Sequence, residues 1–218
     1  MKYFGVILLV IFLTTLYIQR KPPVHPRPRN PLILAFGDSL TYGFGTRDPQ
    51  KESYPARLKA LSGQPVVNAG VNGETTAEGL RRIDALLRRH RPGLTILCLG
   101  GNDILQGIPQ ERIRQNLETL IRKIRASDSA LLLVAVPHLD LPGLSDLSLY
   151  EELAEKMQVP LMEGSLGPIL GDPSLKSDPI HPNAAGYRIM AERIYEKLKE
   201  EGLLYGRERS AQSSVISH

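Results

Sequence analysis

The stretch LILAFGDSLTYGFGT, residues 32–46, climbs through an unbroken apolar run and then breaks into glycines and small polar residues. Such a run reads as a strand covered on both faces that hands its chain to a loop at one end of a sheet. Ser39, at the bend, is then a nucleophile, part of a phosphate-cradling loop, or a structural turn. The phosphate readings fail on the residues: G-x-x-x-x-G-K-[ST] is absent, and so is G-x-G-x-x-G opening a helix. Gly43-Phe44-Gly45-Thr46 has two glycines but no lysine. The G-x-S-x-G elbow of many hydrolases is also missing, since Thr41 stands two residues after Ser39. The bend alone leaves the question open.

Four more β-rich runs follow: PVVN (65–68), LTILCL (94–99), ALLLVAV (130–136) and a weaker VPLM (159–162). Helical patterns separate them. Thr75 with Glu78 forms a capping box ahead of Leu80, Ile83, Leu86 and Leu87, and Pro92 ends that helix. Pro109 opens a second, with Ile113, Leu117, Leu120, Ile121 and Ile124 on one stripe. HPNAAGYRIMAERIYEKLKEE supplies the last, with Tyr187, Met190, Ile194 and Leu198 on one face. Strand alternating with helix predicts an α/β fold: a three-layer α/β/α domain around a five-stranded, doubly wound parallel sheet. In such sheets ligands bind at the carboxyl ends of the strands, so the loops there are where function should lie.

The 218 residues suffice for one well-cored domain, and 42% hydrophobic with 23% charged content is ordinary for a globular chain. The net charge of +4 belongs to the leader: residues 1–30 hold Lys2, Arg20, Lys21, Arg27 and Arg29 and no acid, leaving 22 basic against 23 acidic residues. A neutral body without a basic, aromatic-interleaved face excludes nucleic acid as the partner. Cys98 is the only cysteine and lies in an apolar run, so no internal disulfide can form and a buried thiol is expected.

Residues 1–18 form an N-terminal hydrophobic segment, a membrane anchor or signal, whose apolar run is YFGVILLVIFLTTLYI (3–18). No small-residue cleavage site follows, which favours an uncleaved anchor. Residues 19–30, with four prolines, are an extended tether; 31–205 form the domain; 206–218 are a polar, disordered tail. Bacterial leaders of this kind often export their cargo, which would place the domain on the extracytoplasmic side of the inner membrane, whereas the positive charge after the run argues for the cytoplasm. The two indications oppose each other.

Four loops carry residues that packing explains poorly. After the first run comes Gly37-Asp38-Ser39-Leu40. NAGVNGETT (68–76) sets Gly73 just before a helix amino terminus, where backbone N–H groups favour negative charge. LGGND (99–103) offers the Asn102 amide at the rim. In SDPIHPNAAG (177–186), Asp178 and His181 are spaced so that the carboxylate can accept from one imidazole nitrogen while the other faces a hydroxyl. The same pair could ligate a metal, but His25, His90, His138 and His218 show no ligand spacing; only His138, after the fourth run, could line a pocket. A nucleophile candidate, two amide donors and an Asp-x-x-His pair would all meet on one rim.

Together these blocks resemble the SGNH, or GDSL-type, hydrolase family, from about Ile33 to the last helix: GDSL at Ser39, NAGVNGET at Gly73, GGND at Asn102, and DPIHPN at Asp178 and His181. The spacing is most similar to the small bacterial thioesterase I, lysophospholipase and arylesterase group. Pro179 departs from the D-G-x-H loop common there. The resemblance implies the family's flavodoxin-like fold and a serine esterase: Ser39 attacks an acyl carbonyl, His181 is general base and then acid, and Asp178 orients His181. The Ser39 and Gly73 N–H groups and the Asn102 amide would form the oxyanion hole. No metal, cofactor or protein partner is implied. Expected substrates are small-molecule acyl esters, including thioesters and lipid-derived lysophospholipids, with Ile104, Leu105 and Ile108 as candidate acyl-groove residues and Leu139, Leu141 and Leu144 beside them. A carbohydrate O-deacetylase of the same family and an inactive, membrane-anchored binding module are the alternatives.

Overall fold

The computed structural model describes residues 26–140 and 143–206; the side chains of 138–140 and 143–145 lie outside that description. The apolar leader, most of the tether and residues 207–218 also lie outside it. Among the described residues no helix is long and apolar enough to cross a membrane.

Five parallel strands form the sheet: β1 (Ile33–Gly37), β2 (Val66–Gly70), β3 (Leu94–Cys98), β4 (Ala130–Val134) and a short Leu161–Met162 pairing, in the order β2-β1-β3-β4 and then Leu161–Met162. β1, β3 and β4 are buried along their whole length, which is why their sequences are apolar without alternation. β2 is a half-buried edge strand, so its run carries Asn68. After β1 the chain goes first to one side, to β2, and then to the other, to β3. The crevice between the ends of β1 and β3 is thus the topological switch point of the sheet.

The register sharpens this. Gly37 lies opposite both Gly70 and Cys98, so β1, β2 and β3 release their chains at one level. At that level the backbone is crowded: a Cβ on Gly37 would stand 2.2 Å from Thr41 Oγ1 and 2.3 Å from the Cys98 carbonyl oxygen. Only glycine lets β1 end against β3 and turn at once.

The helices expected from sequence are α4 (Thr76–His90), α6 (Gln110–Ala126) and α9 (Ala184–Glu200) once shorter pieces are numbered. Those pieces are α1 (Ser39–Tyr42), α2 (Pro49–Glu52), α3 (Tyr54–Ser62), α5 (Gly101–Leu105), α7 (Ser148–Met157) and α8 (Gly167–Gly171). The Thr75–Glu78 capping box is present in both directions, and α4 ends at Arg91, which adopts the left-handed conformation before Pro92. The interior face of α6 buries Ile113, Leu117, Leu120, Ile121 and Ile124; that of α9 buries Tyr187, Met190, Ile194 and Leu198. Each such side chain contributes roughly 1.5–3 kcal/mol by leaving water.

The sequence PHLDLPGLSDLSLY, residues 137–150, reads as a loop, and here the structure differs. Pro137–Asp140 and Gly143–Asp146 pair as an antiparallel hairpin, β5 and β6, and Ser148 starts α7. That helix buries Leu149, Tyr150, Leu153 and Ala154, a stripe that starts at the end of the presumed loop. α3 was equally hidden, because only Tyr54, Pro55 and Leu58 of its nine residues are buried.

Removing the Thr75 hydroxyl deprives the α4 amino terminus of its cap. Thr75→Ala should cost about 1 kcal/mol and lower the thermal midpoint by roughly 2–4 °C in a scanning-calorimetry comparison; an unchanged midpoint would contradict the role given to this cap.

Candidate active site

Ser39 is the first residue of α1, directly after the crowded end of β1. Asp38 caps this short helix by accepting from Leu40 N–H at 2.9 Å. The helix turn places Ser39 Oγ 2.9 Å from His181 Nε2 across 142 residues of sequence. The other imidazole nitrogen, Nδ1, lies 2.8 Å from Asp178 Oδ2 and 3.0 Å from Oδ1. Asp178 Oδ1 also accepts from Ile180 N–H and His181 N–H, each at 2.9 Å. Pro179 has no N–H to offer, and this turn needs none from it, so the departure from D-G-x-H leaves the pair intact. Burial by itself would raise the Asp178 carboxyl; the Ile180 N–H, the imidazole and the His181 N–H outweigh it and hold it below the usual carboxylate range.

Asn102 sits in α5, beyond β3. Its amide Nδ2 donates to the Glu74 carbonyl at 3.0 Å and lies 3.4 Å from Asp38 Oδ2. The first bond ties the loop after β3 to the loop after β2, in which Gly73 is exposed, with φ 77°. Among the described residues, the Ser39 and Gly73 N–H groups donate to no protein acceptor, so both remain available.

Sequence reasoning missed the frame behind these groups. Arg82 of α4 pairs with the Glu74 carboxylate, donates to the carbonyls of Gly37 at 3.2 Å and Ala69 at 2.8 Å, and lies 4.3 Å from the centre of the Phe36 ring. Buried Asp103 accepts from Thr76 N–H at 2.8 Å and Thr76 Oγ1 at 2.6 Å, and Asn116 Nδ2 donates to the same hydroxyl at 2.9 Å. Arg82 looks like any helix-face arginine in sequence; only its spacing of eight from Glu74 across a capped helix start could have marked it.

A cavity of about 180 Å³ opens beside Ser39. His181, Asn102 and Asp38 meet there with apolar Leu40, Ile104, Leu105, Val136, Leu170 and Ile180. Ile104 and Leu105, read from sequence as candidate acyl-groove residues, line this cavity. Ile108 is half-buried against the core and does not line the cavity, while Leu170 and Ile180 do so unforeseen. The side chains of His138, Leu139, Leu141 and Leu144 lie outside the described residues. Cys98 is buried, and burial pushes its thiol well above the usual range. Among the described residues no group of three His, Cys, Asp or Glu side chains could hold a metal ion.

A family model for GDSL-like lipases and acylhydrolases matches residues 35–189, a span that includes Ser39, Gly73, Asn102, Asp178 and His181. The chain belongs to that family. Thioesterase 1/protease 1/lysophospholipase L1 of Escherichia coli (strain K12) is 30% identical over 177 residues, 77% of this chain and 83% of the relative. An arylesterase of Vibrio mimicus is 34% identical over 176 residues, 76% and 87% of the two chains. Among solved structures, the psychrotrophic esterase EstA from Pseudoalteromonas sp. superposes with a TM-score of 0.69 at 27% identity, over 78% of this chain and 98% of that one. This GDSL-type esterase therefore has the SGNH-hydrolase α/β fold, with the loops after β1, β2 and β3 meeting at the switch point of the sheet.

One carboxylate in this acylhydrolase is out of its ordinary range. Burial pushes Asp38 from 3.8 up to about 7, against the Leu40 N–H that favours its charge, with the Glu74 and Asp103 carboxylates adding to the rise. Between those values the folded protein keeps a proton that the unfolded chain has released, so Asp38 costs stability progressively as pH rises from about 4 to about 7. Asparagine can still cap α1 but cannot titrate. Urea unfolding of Asp38→Asn beside the parent should show the variant gaining relative stability from pH 4.5 to pH 7.5; a difference constant with pH would refute the buried, titrating Asp38.

Proposed function

We propose that this acylhydrolase cleaves carboxylic esters through an acyl-enzyme on Ser39. The observation that carries the reading is the continuous chain from Ser39 Oγ through His181 to Asp178, at 2.9 and 2.8 Å, beside a cavity with apolar walls. His181 Nε2 takes the hydroxyl proton as Ser39 Oγ attacks the carbonyl carbon. Asp178 holds the ring by Nδ1 and favours the imidazolium that forms. The carbonyl oxygen becomes an oxyanion, for which the free N–H groups of Ser39 and Gly73 and the Asn102 amide are the donors at hand. The 3.4 Å contact from Asn102 to Asp38 is long, so that hydrogen is the one a developing oxyanion would take. His181 then protonates the leaving oxygen, and water, activated by the same imidazole, releases the acid.

Leu40, Ile104, Leu105, Val136, Leu170 and Ile180 suit an apolar acyl chain and offer a sugar little to bond, which favours acyl or lipid-derived esters over a carbohydrate acetate. Names of relatives, a thioesterase and lysophospholipase in one case and an arylesterase in another, agree with this range. We assign residues 3–18 as the membrane anchor that brings the domain close to such substrates; a chain recovered wholly in the soluble fraction after expression with its leader intact would contradict that assignment.

Kinetics on a series of nitrophenyl esters tests the mechanism. Ser39→Ala should abolish turnover, and Asn102→Ala should lower kcat by about 10²- to 10³-fold with a smaller change in KM. A chain-length optimum at acetyl would contradict the acyl-cavity assignment, and full activity in Ser39→Ala would overturn the mechanism.

A further inference from the structure

The turn after α1, Gly43-Phe44-Gly45, has no part in the acyl-transfer chemistry, yet it is built with care. Phe44 N–H donates to the Ser39 carbonyl at 3.0 Å, and the Phe44 carbonyl accepts from the hydroxyl of fully buried Tyr187 at 2.9 Å. Both flanking glycines have positive φ, 95° and 90°. At Gly45 a Cβ would stand 2.0 Å from Ser177 Oγ and 2.8 Å from the Pro182 carbonyl oxygen, so the turn presses against the two sides of the Asp178–His181 loop. The backbone of Phe44 is thus fixed from three directions.

Its side chain is left in the open. Phe44 is 44% exposed as a residue, and the centroid of its ring lies 4.6 Å from that of the His181 imidazole, the planes tilted by 45°. Phe44 is not among the residues lining the acyl cavity, so it meets His181 from outside that cavity. An exposed aromatic ring on a rigid backbone, touching the general base, is a surface kept uncovered at a cost in apolar exposure.

The reaction says what belongs there. An ester has two arms that diverge from the carbonyl, and the cavity beside Ser39 accommodates one. The leaving oxygen must come within hydrogen-bond reach of His181 Nε2 to receive its proton. The first atoms of the alcohol arm therefore pass beside the imidazole, within reach of the ring that flanks it.

We propose that Phe44 forms the leaving-group subsite, an aromatic platform on which the alcohol arm of the ester lies, selecting esters of flat, apolar alcohols. The inference rests on the Ser39–His181 mechanism above and adds a second specificity element to it. The bond that breaks is the acyl carbon to alkoxy oxygen bond; the proton from Ser39 Oγ, carried by His181, ends on that oxygen, and the alcohol departs over Phe44.

Benzyl and ethyl butyrate test this, because they share an acyl arm and have leaving alcohols of similar acidity. The full chain should prefer the benzyl ester in kcat/KM, and Phe44→Ala should lower the benzyl-to-ethyl ratio about three- to tenfold. Phe44→Leu, which keeps an apolar side chain against His181, should lose the same ratio. In both variants the preference between butyrate and acetate esters of one alcohol should stay as in the parent, whereas Leu105→Ala, in the cavity, should change that preference and leave the benzyl-to-ethyl ratio alone. An equal loss on both alcohols would overturn the subsite and make Phe44 a support for His181 only. An unchanged ratio would overturn it outright. Absence of hydrolysis of every ester by the parent would instead defeat the Ser39 mechanism, a distinguishable failure.

Discussion

The parallel register that sets Gly37 opposite both Gly70 and Cys98 is the constraint on which the site depends. Three strands stop at one height, and their loops have nowhere to go but over the same crevice. Ser39 follows the first strand by two residues, Gly73 the second by three, Asn102 the third by four. The near-equal offsets keep three groups from distant sequence at one level above the sheet. A shift of one strand by one residue would reverse its buried side chains and carry its loop out of the constellation.

Register alone would leave three mobile loops, and a buried polar frame removes that freedom. Arg82 grips the Glu74 carboxylate together with the carbonyls of Gly37, the last residue of β1, and Ala69, the last but one of β2, and Asp103 holds the amino terminus of α4 through Thr76. The Asn102 amide closes the circle by donating to the Glu74 carbonyl. The carboxylates of Asp38, Glu74 and Asp103 thus lie close beneath the site. Among the described residues only Glu74 of the three has a cation of its own, and burial, with the neighbouring carboxylates adding to it, makes Asp38 hold its proton up to about 7. His181 is held by the turn that Asp178 closes upon it, and the Asn102 amide by its bond to the Glu74 carbonyl.

The sequence made the central sheet readable because buried parallel strands tolerate little but apolar residues, and Ile33 to Phe36, Leu94 to Cys98 and Ala130 to Val134 obey that. Long helices with broad stripes and explicit caps, such as Thr76–His90, were equally plain. The hairpin of 137–146 escaped because its strands are only four residues long with one leucine each, and helix Tyr54–Ser62 because three buried side chains make no stripe. Ser39, Asn102, Asp178 and His181 were legible only as an ordered set, since each alone is an ordinary turn residue. The frame was not legible: the reach of Arg82 to Gly37 and Ala69, and the place of Leu170 and Ile180 in the cavity, arise from tertiary contacts that no local pattern encodes.

The claim at the centre of this account is that the fold makes one serine out of many nucleophilic. Treatment of the full-length protein with a fluorophosphonate, followed by peptide mass mapping, tests it most directly. The account predicts one adduct per chain, on Ser39, absent from Ser39→Ala and strongly slowed in His181→Ala. An adduct on another residue, equal labelling of Ser39→Ala, or no labelling of the parent would contradict it.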